Sequence, residues 1–138
     1  MKTAAPKLPL RKLAAAARNA ARNARAPYSG FRVGAAVLDD TGRVHAGCNV
    51  ENASLGLTIC AERAAVFAAV TAGAKTIRCV LIHTPTPTPT APCGACRQVL
   101  REFSANTRVI ALCDGPGRLD TTLDRLLPDS FGPDNLAA

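Results

Sequence analysis

Leu10, Leu13, Ala14, Ala17, Ala20 and Ala21 recur three and four residues apart, the spacing of one helical face, and predict a helix over 8–23 that stops before Pro27. The period then shortens. Stretches 32–39 and 43–50 are β-rich, and Asp40-Thr41-Gly42 between them has the residue types of a tight reversal, so a hairpin is expected. An Ala-rich stretch with Val66, Phe67 and Val70 predicts a second helix over 60–72, with Gly73 placed to end it. Residues 76–83 read as a strand. The alternating Thr and Pro of 84–90 cannot form a regular helix, because Pro lacks an N–H and restricts the residue before it, so this run is an extended connector. Pro92, at a first-turn position, starts a helix over 93–103. A strand at 108–113, a turn at Asp114-Gly115-Pro116-Gly117, a short returning strand at 118–121 and a helical turn or two at 123–127 complete the pattern.

Strands alternating with helices argue for a sheet covered by helices, and the opening hairpin makes that sheet mixed. The expected fold class is α/β, a three-layer α/β/α arrangement around a mixed five-stranded sheet. Val33, Ala35, Val37, Val80, Ile82, Val109 and Ala111 should form its core. At 138 residues and 48% apolar composition, residues 1–138 are expected to form one domain with enough apolar surface for one core. No apolar run approaches the roughly 18 residues of a membrane span, and the first residues lack the apolar stretch and cleavage site of a secretory signal. A soluble, unexported, cytoplasmic protein with no membrane partner is expected.

The formal net charge of +7 alters this picture at one end only. Residues 1–38 contain eight Lys or Arg, from Lys2 to Arg32, and no acid; the remainder contains nine basic and ten acidic side chains. A nucleic-acid surface or an Arg-rich transit peptide would account for such an end. The helical spacing that leads without a break into Tyr28 and Phe31 favours a structural helix with a solvated basic face, so no nucleic-acid partner is expected.

Six cysteines could form three disulfides, but such frameworks belong to small secreted chains, and the spacing here is that of metal ligands in a reducing compartment. Cys48, Cys79 and Cys113 lie in apolar strand-like stretches and are expected to be buried as small hydrophobes. Cys60 with Pro92-Cys93-Gly94-Ala95-Cys96 supplies three thiolates, one short of a closed structural zinc site and the number that leaves a position open in a catalytic one. Zn²⁺ held by Cys60, Cys93 and Cys96 is the expected cofactor, and Glu62 is placed to handle protons at the open position rather than to act as a fourth ligand. Helix starts favour thiolates, because their free N–H groups and partial positive charge lower thiol pKa. Three thiolates on one dication leave surplus negative charge, and Arg63 is expected to offset it by hydrogen bonding to one or two ligand sulfurs. His45 and His83 do not fit the ligand pattern and are expected to be structural.

Tyr28-Ser29-Gly30-Phe31-Arg32-Val33-Gly34-Ala35-Ala36, Gly47-Cys48-Asn49-Val50-Glu51-Asn52-Ala53-Ser54, Cys60-Ala61-Glu62-Arg63, Pro92-Cys93-Gly94-Ala95-Cys96-Arg97-Gln98 and Leu126-Leu127-Pro128 with Phe131-Gly132-Pro133 resemble the small cytidine deaminases, in order and over nearly the whole chain. The resemblance implies hydrolytic deamination of cytidine and deoxycytidine to uridine and deoxyuridine plus ammonia, in pyrimidine nucleoside salvage. It implies one Zn²⁺ per subunit that acidifies a water, with Glu62 passing that water's proton to N3 of the base and a second proton to the departing amino group. By the same resemblance Asn49 and Glu51 bind the ribose, Phe31 packs on the pyrimidine, and the backbone N–H of Ala61 donates to its O2. Phe131 matches a residue that reaches into a neighbouring subunit's site in a homotetramer. Many relatives have His where this chain has Cys60, and the all-thiolate set points to the branch acting on free nucleosides. Leu55 stands where many relatives carry a Tyr after Ser54, a departure that bears on subunit contacts.

Three readings compete. A structural zinc module would need a fourth ligand and leaves Glu62 without a role. A deaminase acting on RNA or DNA would need basic and aromatic residues near the site, whereas the excess charge is N-terminal and the chain has four Phe, one Tyr and no Trp. Blasticidin S deaminase shares Cys-Ala-Glu and Pro-Cys-x-x-Cys, but the intact Glu51-Asn52-Ala53-Ser54 favours cytidine. No function is assigned to the Thr-Pro run.

Overall fold

Ala-rich sequence has high intrinsic helix propensity, and Leu10–Ala21 forms the first helix, α1, with Leu13 and Ala17 fully buried on its inner face. The computed structural model describes residues 7–137, so Lys2 lies outside the described part. After α1 come β1 (Gly34–Asp39), β2 (Val44–Cys48), α2 (Ala61–Thr71), β3 (Ile77–His83), α3 (Gly94–Arg101), β4 (Arg108–Leu112), β5 (Leu119–Thr122) and α4 (Leu123–Leu126). Each expected element is present within two residues of its expected ends, the usual extent of fraying. Short 3-10 turns at Leu55–Leu57 and Pro133–Asn135 were not expected.

The five strands lie in the order β2-β1-β3-β4-β5. β3 and β4 are parallel, joined through α3, and the other three pairings are antiparallel, so the sheet is mixed as expected. α1 covers one face, where Leu13 and Ala17 meet Ala36, Leu38, Cys79, Leu81 and Ile110. α2 and the later helices cover the other, over Val33, Ala35, Val37, Val80, Ile82 and Val109. The arrangement is therefore three layers. All seven expected core residues are buried, and β1 is buried at every position because both its faces are covered.

Two glycines let helices touch strand backbone. A Cβ on Gly34 would lie 1.8 Å from the Ala17 carbonyl oxygen of α1, and one on Gly47 would lie 2.4 Å from the Ala65 nitrogen of α2. α2 is thereby seated directly on the hairpin, which fixes its N-terminal end relative to the residues just after β2. The hairpin turn is held by the buried carboxylate of Asp39, which accepts from the Thr41 and Arg43 backbone N–H groups at 2.8 and 2.9 Å and faces His45 Nε2 at 2.8 Å. His45 is structural, as expected. Gly73, with φ of +97°, ends α2 in the left-handed conformation that favours glycine.

One detail differs from the sequence reading. Pro92 precedes the cap of α3 instead of occupying its first turn: Cys93 is the N-cap and Gly94 the first helical residue. The Pro92 carbonyl accepts from Arg97 Nε at 2.7 Å, which ties the approach to the helix. Cys60 is likewise the N-cap of α2. No described helix is long and apolar enough to cross a membrane.

Candidate active site

Cys60 and Cys93 both have extended backbone at the N-cap position, and neither side chain makes the usual capping bond to its own helix. Their sulfurs are left to face each other across the junction of α2 and α3, 3.7 Å apart, and Cys96, one turn into α3, closes the group. All three sulfurs lie within 4.8 Å of one another. On a tetrahedral zinc with Zn–S of about 2.3 Å, two sulfurs stand about 3.8 Å apart, so the Cys60–Cys93 edge has the length such a site needs. Soft thiolate donors from two helix starts are a ligand set suited to zinc, and among the described residues this is the one such cluster of at least three His, Cys, Asp or Glu side chains. The six cysteines are free.

The electrostatics favour an anionic sulfur at Cys60. A hydrogen bond with Cys96, reinforced by Arg63, pulls the Cys60 thiol down to about 5 against the opposing effect of burial, and the same coupling pushes Cys96 up. The Arg63 guanidinium donates to Cys60 Sγ at 3.4 Å. Its Nε is buried and unpartnered among the described residues. Glu62, in the first turn of α2, is 5% exposed, and burial pushes its carboxyl up, with the Cys60 thiolate adding to the shift. A carboxyl raised in this way holds and releases a proton nearer neutrality than a solvated glutamate does.

Of these groups, Cys60, Glu62 and Cys93 line a cleft of about 330 Å³, within the range of small-molecule sites. It lies at the end of the sheet where β1 begins and β2 and β3 finish. Phe31 and Val33 line it just before β1, Asn49 and Glu51 just after β2, and Cys60, Ala61, Glu62 and Cys93 from the two helix starts. Ala61 is the first residue of α2, so its N–H has no intrahelical acceptor.

Asn49 and Glu51 are held by the segment before β1. Asn49 Oδ1 accepts from Val33 N at 2.9 Å and its Nδ2 donates to the Phe31 carbonyl at 2.7 Å. Glu51 accepts from the Tyr28 and Ser29 backbone N–H groups at 2.9 and 3.1 Å and from the Ser29 hydroxyl. An amide has a second N–H and a second acceptor lone pair, and a carboxylate accepts about four bonds, so each keeps capacity for a ligand hydroxyl. These bonds lower the Glu51 carboxyl from its ordinary value, the Ser29 hydroxyl contributing most, and so favour the anion.

The matches to known proteins fall on this same framework. The family model for the cytidine and deoxycytidylate deaminase zinc-binding region matches residues 9–113. A cytidine deaminase of Mycobacterium tuberculosis is 47% identical over 120 residues, covering 87% of this chain and 87% of its own length. One of Sporosarcina psychrophila is 40% identical over 127 residues, with 91% and 93% covered. This chain belongs to the cytidine deaminase family. The crystal structure of a cytidine deaminase from Burkholderia pseudomallei superposes with a TM-score of 0.83 at 44% identity, covering 88% of this chain and 98% of that one.

Against the cytidine deaminase expectation, the structure brings Cys60, Cys93, Cys96, Glu62, Arg63, Ala61, Phe31, Asn49 and Glu51 to one end of the sheet. Phe131 is not among the residues lining that cleft. It is 58% exposed on a segment strapped to α3, where Gln98 Nε2 donates to its carbonyl at 3.0 Å and Arg101 Nε to the Ser130 hydroxyl at 3.0 Å. Its ring thus stands outside its own chain's cleft.

Sequence reasoning missed part of the cleft wall. Thr84, Thr90 and Ala91, from the Thr-Pro run and its end, line the cleft. The run is fastened to the turn after β4: Asp114 N donates to the Thr86 carbonyl at 2.9 Å, and the buried Cys113 thiol donates to the Gly117 carbonyl at 3.3 Å. A side chain at Gly115 would lie 2.0 Å from the Pro87 carbonyl oxygen. Nearness to Pro92 and Cys93 was the available signal that this run belongs to the site.

Proposed function

We propose that this protein is a zinc-dependent cytidine deaminase, converting cytidine and deoxycytidine to uridine and deoxyuridine with release of ammonia, as a step of pyrimidine nucleoside salvage. The observation that carries the reading is a buried carboxyl, Glu62, that lines one cleft with two members of a cluster of three thiols too few to close a metal site. Cys60, Cys93 and Cys96 would hold one Zn²⁺ per subunit, and that ion would polarise a water toward hydroxide. Arg63 offsets the surplus thiolate charge at Cys60.

Phe31 packs on the base, and the free N–H of Ala61 donates to its O2. Asn49 and Glu51, anchored on the 28–33 segment, spend their remaining hydrogen-bond capacity on the ribose hydroxyls. Glu62 accepts a proton from the attacking water and delivers it to N3 as the C4–O bond forms. It then moves the second proton from that oxygen to the amino group. The C4–N bond breaks, ammonia leaves, and the base keeps the carbonyl oxygen. Burial serves this double duty, because a carboxyl that must both take and give a proton works best with its pKa raised toward the operating pH.

The assembly is a homotetramer in a reducing cytoplasm. Leu55, Phe67, Val70 and Phe131 are exposed on the single chain, apolar side chains suited to burial between copies, and Phe131 would complete a neighbouring cleft. Leu55 makes that contact without the hydroxyl of a Tyr. The six free cysteines suit a reducing compartment.

A panel of cytidine, deoxycytidine, cytidine monophosphate, cytosine and blasticidin S tests the substrate assignment. Turnover of the two nucleosides, with little on the other three, is expected. Preferential turnover of blasticidin S would move the assignment to the analogue deaminases, and no turnover of any by zinc-loaded protein would leave only the structural module.

A further inference from the structure

A second cleft, of about 560 Å³, lies back to back with the first. The same two segments wall both. Around β1's start, Phe31 and Val33 line the substrate cleft while Gly30 and Arg32 line the second; at β3's end, Ile82 and Thr84 line the first while His83 and Pro85 line the second. This is the alternation of extended backbone, whose successive side chains point to opposite sides. The remaining wall is the C-terminal part of α1, with Arg18 and Arg22 one turn apart on the same helix face.

Charge in this cleft is of one sign. Arg18, Arg22 and Arg32 line it, and none of them takes part in an ion pair among the described residues. Arg32 donates to the Ala21 and Arg22 carbonyls, so its charge is partly answered by the helix C-terminus. Arg18, in the last turn of α1, and Arg22, its C-cap, feel the same helix end, but neither pairs with a carboxylate among the described residues. Among the described residues the carboxylate that pairs here, Asp114, stands 3.5 Å from His83 Nε2 and is itself 64% exposed, while His83 Nδ1 is buried with no partner. Burial, and then the charge of Arg18, hold His83 below its ordinary pKa, which places the Arg18 charge within reach of the β3 end of the cleft. The walls are fixed, because Gly34 brings the α1 backbone against β1 with no room for a side chain.

We propose that this cleft is a binding site for a phosphate group, held chiefly by Arg18 and Arg22. Guanidinium groups match phosphate oxygens in geometry as well as charge, and a fixed concave wall carrying unpaired guanidiniums gives a doubly charged tetrahedral anion more than a single contact. The ligand is inorganic phosphate or the phosphate of a sugar phosphate or nucleotide. The site stands apart from the catalytic groups, and its test needs no deamination.

Calorimetric titration of the zinc-loaded protein with inorganic phosphate and, separately, with ribose 5-phosphate gives the two arms, with sodium chloride at matched ionic strength as the control. Saturable binding in at least one arm is expected, weakened at least tenfold by Arg18→Ala with Arg22→Ala. Tighter binding of ribose 5-phosphate would identify the organic phosphate as the ligand, and tighter binding of phosphate the free anion. Arg18 is exposed on the Ala-rich α1 and Arg22 is exposed at its C-cap, and the double variant should keep its circular dichroism and its turnover of cytidine in phosphate-free buffer. Absence of binding in both arms, equal binding by the folded double variant, or the same heat from chloride would overturn the proposal.

Discussion

Gly47→Ala tests whether the seating of α2 on the hairpin sets the geometry of the site. The added Cβ would lie 2.4 Å from the Ala65 nitrogen and 2.8 Å from the Ala64 carbonyl carbon, whereas ordinary contact begins at 3.4 Å. Both obstacles are helix backbone, so no rotamer change relieves them, and α2 must separate from β2 by about 1 Å, the difference between 3.4 and 2.4 Å. Overpacking of this kind costs about 1–3 kcal/mol. The same displacement moves the Cys60–Glu62 end of α2 relative to Asn49 and Phe31, and a misplacement of about 1 Å at reacting groups can cost roughly 10²-fold in rate. Urea unfolding of the zinc-loaded protein should show the loss of stability, and kcat/KM for cytidine should fall by about that factor. Gly56→Ala, where a Cβ meets nothing within 4 Å, is the stability control and should stay within about 0.5 kcal/mol of the parent. A Gly47→Ala protein as stable and as active as the control would refute the claim that this contact positions the site.

Asp39→Asn should destabilise the protein by about 1–3 kcal/mol at neutral pH, since it weakens the bonds that hold the hairpin turn. Burial alone would raise the Asp39 carboxyl, but bonds from His45, Thr41 and Arg43 hold it well below the carboxylate range, so its contribution is complete above about pH 4, the unfolded value, and is lost as pH falls further. The gap between parent and variant in unfolding free energy should accordingly narrow below that pH; a gap independent of pH would contradict the assignment. Arg63→Gln should weaken zinc affinity about 10–100-fold in competition with a chelator while leaving the fold intact, as removal of a ligand's hydrogen-bond partner does. Unchanged affinity would leave the guanidinium contact with Cys60 without a role in metal binding.

The cluster of Cys60, Cys93 and Cys96 was legible in the sequence because each cysteine group sits at a helix start, and helix starts are announced by the Ala-rich run at 61–71 and by Pro92. Arg63 followed from charge balance at those thiolates. The core was legible for a similar reason, since Val33, Ala35 and Val37 alternate and sheets covered on both faces bury whole strands. What escaped depends on contacts between distant segments. Glu51 reaches back 22 and 23 residues to Ser29 and Tyr28, a bond no local pattern announces. Asp39 reads as the polar end of a strand, yet it organises the turn and is fully buried. The Thr-Pro run shows only that it is extended; that it walls the cleft depends on Cys113 and Gly115, which follow another strand. Phe131 was matched to a neighbour's site on resemblance, and on this chain it is exposed and does not line the cleft.

Glu62→Gln is the most direct measurement of the central claim that one buried carboxyl moves both protons of the deamination. Gln keeps the size and hydrogen bonding of Glu but cannot carry a proton between water, N3 and the amino group. The variant, purified with its zinc content measured, should bind one Zn²⁺ per chain as the parent does and turn over cytidine about 10²–10⁴-fold more slowly, or not detectably. A zinc-loaded Glu62→Gln protein that deaminates cytidine at close to the parent rate would contradict the account.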